Sequence, residues 1–380
     1  MSFVITVLIV SISCAVISYK TLFSYTNLNK KSKFSLFLLL LVSWFMPLIS
    51  FIIQINNPSY LLDLFTTYIG YSLFIFVALL FALHFTRDVI WFVLWGIKKL
   101  FKISFKFPSP EDTQALKKAN LYSVYIALFI LLCGLYSGNK IADIKEISIP
   151  TNKISQEVKL VLLSDLHIKN IDSKNTLNKI VKKVNDQNAD IVILAGDTIG
   201  GNLDKIVSKL DVLRTIKSKY GTYTVIGNHE AYNGMLASMK YFNSGEGYKL
   251  LFNTGNVISD KNLFIGGVTD TDLDKMFQPD VRKSLIGSSD EYKILISHRP
   301  NIFNKAAKNG YDLTLSGHTH GGQVFPFHYF AKEFNGYLSG FYENGNSKLY
   351  ITRGVRYWGP AVRFFSPSEI TVIRLIPSVK

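Results

Sequence analysis

Near the C-terminal end stands Ser316-Gly317-His318-Thr319-His320-Gly321-Gly322-Gln323, two histidines one residue apart among glycines. The preceding apolar run, Tyr311 to Leu315, reads as a buried strand. In an extended segment, residues i and i+2 point the same way. Neutral imidazole is the commonest metal ligand among side chains. Glycine lets the backbone turn tightly and approach a bound group closely. The stretch is therefore expected to bind metal rather than to be a pair of surface loop histidines.

The same residue types recur just after other predicted strands. Val158 to Leu163 runs into Asp165 and His167. Asp190 to Ala195 runs into Gly196-Asp197. Tyr223 to Ile226 runs into Gly227-Asn228-His229-Glu230, and Tyr292 to Ile296 precedes His298. Open α/β sheets build their sites at the C-terminal ends of strands. Six of the seven histidines lie beyond residue 150, and only His328 of those six falls outside this set. Two carboxylates, an amide and four imidazoles are too many donors for one ion. They suit two divalent transition-metal ions sharing a carboxylate, with Mn, Fe, Zn or Ni favoured over Mg or Ca. Two ions about 3.5–4 Å apart polarise a phosphoryl oxygen and generate a bridging hydroxide nucleophile at neutral pH.

The ordered set Asp165-x-His167, Gly196-Asp197, Gly227-Asn228-His229-Glu230, His298 and Gly317-His318-Thr319-His320 resembles the calcineurin-like metallophosphoesterase family. The extended Gly317 to Gln323 motif and the late Gly354, Gly359-Pro360, Arg363 and Glu369-Ile370 resemble its membrane-associated bacterial branch. The resemblance implies an α/β fold, a four-layer αββα sandwich, and phosphoester hydrolysis by two metals. It implies that Asp165, His167 and His320 hold the first metal, that Asp197 bridges, and that Asn228, His298 and His318 hold the second. His229 matches the family's acid, which protonates the leaving oxygen. Arg299, Arg356 and Arg363 are each open to two readings: a contact to substrate phosphate, or a structural ion pair.

These groups must be carried by a folded domain, and the strand–helix alternation from Val158 onward argues an α/β sheet. The expected organisation is a transmembrane region over 1–137, a linker over 138–157 and a catalytic domain over 158–380. Helices are expected over Leu177–Gln187 and Leu203–Ser218. Later strands are expected at Leu263–Gly267, Lys348–Thr352 and Glu369–Leu375.

The first part is of another kind. Ser2–Phe23, Phe34–Ile53 and Leu61–Phe85 are long enough to cross a bilayer; Tyr122–Tyr136 spans only if its flanks are recruited. An amphipathic segment near 88–106, with Trp91, Trp95, Lys98, Lys99, Lys102 and Lys106, reads as an interfacial helix. His84 reads as a helix contact. Cys14 and Cys133 sit in apolar runs and form no disulfide framework.

The formal charge is +15. The first 150 residues hold 13 Lys+Arg against 6 Asp+Glu, a surplus suited to orienting membrane helices. No basic block with interleaved aromatics is present, so nucleic acid is not an expected partner. By the positive-inside rule the first and third loops face the cytoplasm. The chain is then a multi-pass protein of the cytoplasmic (inner) membrane, its catalytic domain on the periplasmic or extracellular side. Membrane lipids are expected partners, and the expected substrate is a phosphomonoester or phosphodiester, lipid-linked in the sharpest form of the reading. The competing function is a metal-binding membrane sensor or binding protein without turnover. The intact ligand set with His229 favours the enzyme.

Overall fold

A computed structural model describes residues 2–23, 28–56, 58–103, 112–244, 247–271, 273 and 277–378. The chain divides into two compact units, Met1–Leu135 with Gly359–Ala361, and Tyr136–Trp358 with Val362–Lys380.

The first unit is helical: α1 (Ser2–Phe23), α2 (Lys30–Ile55), α3 (Tyr60–Leu64), α4 (Tyr71–Phe101) and α5 (Thr113–Asn139, which runs on into the second unit). A π-helical turn, Phe65–Gly70, joins α3 to α4. Three stretches are long and apolar enough to cross a membrane: Lys30–Ile53, Tyr60–Phe101 and Gln114–Asn139. The described apolar part of α1 is shorter, Leu8–Thr21. The helices are tied by polar groups facing inward. Trp44 Nε1 donates to Ser18 Oγ at 3.1 Å, and Ser11 Oγ donates to the Trp44 carbonyl at 3.3 Å, both between α1 and α2. Large apolar groups such as Leu61, Phe92 and Leu100 point outward and are 70–75% exposed.

Two expectations change here. The short fourth span recruits its flanks to become the 27-residue α5. The amphipathic segment is no separate helix, because α4 continues through Arg87 to Phe101. The reason is local. Arg87 meets Asp88 at 2.7 Å and also reaches Asn120 on α5, so its charge does not end the helix. Lys106 lies outside the described residues. His84 is fully buried in α4, as a helix contact would be.

The second unit carries two six-stranded sheets. The first is ordered β1-β12-β2-β3-β4-β5 and contains β1 (Asp143–Thr151), β2 (Val158–Leu163), β3 (Ile191–Leu194), β4 (Thr222–Thr224), β5 (Lys249–Leu250) and β12 (Glu369–Pro377). The second is ordered β10-β11-β9-β8-β7-β6. Its strands are β6 (Thr254–Ile258), β7 (Leu263–Gly267), β8 (Tyr292–Ile296), β9 (Leu313–Ser316), β10 (Gly340–Asn344) and β11 (Ser347–Ile351). The interval expected as a linker therefore contains β1, which pairs in parallel with β12 at the sheet edge. Its Lys145 and Glu146 read as linker charge, but such charges are normal on an edge strand.

Strands β2, β3 and β4 are parallel and almost wholly buried on both faces, which explains the apolar runs Leu160–Leu163 and Ile191–Leu194. Alternate residues serve different layers. Leu160, Leu162 and Ile193 meet Ile265, Ile294 and Leu315 between the sheets. Val161, Leu163 and Leu194 pack outward on α6 (Lys174–Asn185) and α7 (Leu203–Leu210) through Leu177, Ile180 and Leu210. Phe264 and Leu295 cover the opposite side with Ile302 and Ala306 of the α10 (Phe303–Lys308) region. The result is the four-layer αββα sandwich. The remaining helices are α8 (Asn228–Tyr232), α9 (Met235–Asn243) and α11 (Phe327–Asn335).

Candidate metal centre

Both sheets end at one place. Asp165 and His167 follow β2, and Asp197 follows β3. Asn228 and His229 open α8 after β4. His298 follows β8, and His318 and His320 follow β9. Strands this short and this buried fix where each loop starts, so side chains far apart in sequence converge.

Ligand atoms of Asp165, His167 and His320 lie within 4.8 Å of one another, as do those of Asp197, His298 and His318. A third set, His167, Asp197 and His229, overlaps both. Asp197 Oδ2 stands 3.1 Å from His298 Nε2 and 3.7 Å from His167 Nε2. His320 Nε2 is 3.5 Å from Asp165 Oδ1 and 3.0 Å from His167 Nε2, and His318 Nδ1 is 3.2 Å from His298 Nε2. Asn228 is buried with no hydrogen-bond partner for its Oδ1. This donor set fits two ions. Neutral imidazole lone pairs facing each other repel, and a cation between them satisfies both.

The backbone is bent to make this possible. Asp165, His167, Asp197, His318 and His320 all have positive φ, between 42° and 68°. Such conformations cost energy in non-glycine residues and cluster at functional sites. Two glycines are required by space. A Cβ on Gly317 would strike Ser164 Oγ and the Asp165 carboxylate, and one on Gly227 would strike Asp197 Oδ1.

Protonation is set by burial and by neighbours. Burial holds His167, His318 and His320 well below the usual imidazole range, with nearby cationic groups acting in the same direction. They are thus neutral, the form that ligates. Burial also opposes charge on His298, but the carboxylates of Asp197, Asp165 and Asp270 outweigh it and push its pKa up to about 10. Its Nδ1 lies 2.8 Å from the Ala195 carbonyl, which fixes the ring and aims Nε2 at Asp197. His229 is lowered by burial, against the pull of Asp197. Its ring packs edge-on to His167 at 4.5 Å between centroids, and its backbone N–H donates to Asp197 Oδ1 at 2.9 Å.

Two residues that hold the site were not singled out for that role by sequence. Glu230 is fully buried and accepts four backbone N–H groups: Gly227 (2.8 Å), Asp197 (3.0 Å), Thr198 (2.7 Å) and Ile199 (2.8 Å). Burial and the Asp197 charge push its pKa up to about 7, opposed by the N–H groups of Ile199 and Gly227. Its signal was an acid three residues after a helix-capping glycine. Arg363, 1% exposed, donates to the carbonyls of Ser366 (2.8 Å), Arg353 (2.8 Å) and Arg356, and stands 3.0 Å from His320 Nδ1. It is a structural residue and not a surface phosphate contact. Arg299 pairs with Asp270 at 2.9 Å, and Arg356 with Asp172 at 2.6 Å. The ion-pair reading holds for both.

The chain is similar to known proteins. The calcineurin-like phosphoesterase family model matches residues 158–322. The chain is 36% identical over 274 residues to a metallophosphoesterase of Helicobacter pylori strain J99, covering 70% of this chain and 73% of that one. It is 31% identical over 261 residues to one of Campylobacter jejuni, covering 66% and 68%. It is 28% identical over 302 residues to a Danio rerio protein named as a transmembrane protein with a metallophosphoesterase domain, covering 75% and 69%.

Proposed function

For a chain that belongs to the calcineurin-like metallophosphoesterase family, and is a metal-dependent phosphoester hydrolase, we propose a binuclear site acting on membrane-presented phosphoesters. Asp165, His167 and His320 would hold one ion and Asn228, His298 and His318 the other, with Asp197 shared. The observation that carries this is the position of Asp197, whose carboxylate belongs to both the His298–His318 set and the His167–His229 set. When bound, the ions supply Lewis-acid activation of water and of the phosphoryl group. Asp165 and Asp197 would offset the ions' charge; His167, His318 and His320 would hold them without a proton to lose, whereas His298 would release one on binding. His229 is no member of either proposed ligand triad, and its ring is left to give a proton to the leaving oxygen. Trp358 and Tyr232 flank it at 6.4 and 5.4 Å between ring centroids and limit its rotation.

The substrate reading rests on the tether. Three residues separate α5, part of an apolar stretch long enough to span a bilayer, from β1 of the catalytic sheet. Three residues reach about 10 Å at most. A phosphomonoester or phosphodiester on a lipid or lipid-linked carrier is therefore the proposed substrate, in the cytoplasmic membrane, with the domain facing the periplasm or exterior. Metal analysis and turnover of bis(4-nitrophenyl) phosphate test the centre. About two ions per chain, and activity lost on chelation and restored by Mn, are expected. One ion or none in active protein overturns the binuclear reading. Orientation is read with a membrane-impermeant thiol reagent on Glu343→Cys in intact spheroplasts. Labelling only after lysis would place the domain inside.

A further inference from the structure

The loop that carries His318 and His320 runs directly into a surface unlike the rest of the domain. Phe325, Phe327, Tyr329, Phe330, Phe334 and Phe365 are 48%, 53%, 65%, 57%, 81% and 91% exposed. Ring contacts join them in two groups that meet at the neighbouring Tyr329 and Phe330: Phe325 lies 6.2 Å from Tyr329 and 5.9 Å from Phe365 between ring centroids, and Phe327 lies 6.1 Å from Phe330. On α11 the phenylalanines fall at i, i+3 and i+7, one stripe beside the buried Ala331; Lys332 lies on the other side, and Glu333 stands between Tyr329 and Phe330. Isolated exposed apolar groups need no explanation, but a contiguous aromatic patch marks an interaction surface.

The patch is fixed to the metal centre. Gln323, three residues after His320, accepts the Trp358 N–H through Oε1 and donates to the Trp358 carbonyl through Nε2, both at 2.8 Å. Its own carbonyl accepts from the Phe364 N–H at 2.9 Å. A Cβ on Gly322 would strike the backbone of His328, so the metal loop and the start of α11 are in close contact.

We propose that α11 with Phe325 and Phe365 is an interfacial element that inserts into the bilayer surface and presents lipid phosphate groups to the site. This rests on the membrane-presented substrate reading above. The occupant is argued from the chain itself. It has three apolar stretches long enough to span, so a bilayer lies within reach of the domain. Tyr concentrates at the membrane–water interface, and Phe is a residue that the buried faces of interfacial helices carry. A short helix with an apolar stripe bordered by charges lies in that plane.

The test uses the full chain in lipid nanodiscs, with Cys14 and Cys133 replaced by alanine and bimane attached at Phe330→Cys. Brominated phosphatidylcholine should quench that bimane by about half or more, because interfacial helices sit about 5–10 Å into the headgroup–acyl boundary. The exposed Lys179→Cys on α6 supplies the control and should be nearly unquenched. Equal quenching at both positions overturns the proposal. So does quenching of Phe330→Cys by a spin-labelled second copy in place of lipid, which would make the patch a self-association face. Turnover of bis(4-nitrophenyl) phosphate in the same discs separates the readings: quenching without turnover breaks the enzyme assignment, and turnover without quenching breaks the docking.

Discussion

At the end of the first sheet the loops are gathered by a carboxylate; at the end of the second, by a guanidinium. Glu230 accepts four inward-pointing N–H groups from the turns that carry Asp197 and Asn228. Arg363 donates to inward-pointing carbonyls of the turns after β9, β11 and the following loop. The backbone polarity of each loop set decides the charge of the group that satisfies it, since four buried N–H groups need an anion and several buried carbonyls need a cation. The choice also sets the field. In its ionised form Glu230, beside Asp197, adds to the negative charge that a cation must offset. The cation beside His320 joins burial in keeping that ring neutral.

The largest effect should come where the two halves meet. Asp197→Asn is expected to strip metal from both donor sets and reduce turnover to background. Elemental analysis of the purified variant checks this, and two retained ions would show that no shared position exists. His229→Ala should leave metal content nearly intact and slow hydrolysis on the order of 10²–10⁴-fold, the scale of a lost general acid. The defect should shrink for nitrophenol leaving groups. Equal defects for good and poor leaving groups would remove the proton-donor role.

The two clamps come next. Glu230→Gln replaces an ionised acceptor by an amide and leaves buried N–H groups without a partner, a cost of about 2–4 kcal/mol. It should lower the unfolding temperature in detergent and weaken both donor sets, because the turns of Asp197 and Asn228 both hang on it. Arg363→Lys should weaken metal affinity about 10–100-fold, as loss of an outer-shell support does. The loss should be confined to the Asp165–His167–His320 set, with activity recovered by excess Mn. If Arg363→Lys empties both sets equally, the two clamps do not act on separate halves.

How legible this was follows from where each role resides. The ligands could be read because each stands just after an apolar run, and strand ends are where such sheets place their sites. Glu230 stood in the same motif, but its partners Asp197, Thr198 and Ile199 lie 31–33 residues earlier, and no local spacing reveals them. Arg363 could not be told from a phosphate contact without its burial. Strands β6 and β10 were missed because they are polar and at sheet edges, where one face stays wet. Arg87 looked like a helix boundary because its partner Asn120 is on another helix.

The left-handed backbone at Asp165, His167, Asp197, His318 and His320 has an evolutionary cost. At each of these positions an L side chain is held about 1–2 kcal/mol above its relaxed conformation, and glycine would not be. The fold alone would therefore favour decay of its own chemistry. Metal-free His318→Gly, at φ 68°, should unfold at a temperature equal to or slightly above that of the metal-free parent. A clear drop would mean that the ring's packing outweighs the backbone strain. Selection for turnover, acting against a small thermodynamic slope, is then what keeps the imidazoles in place.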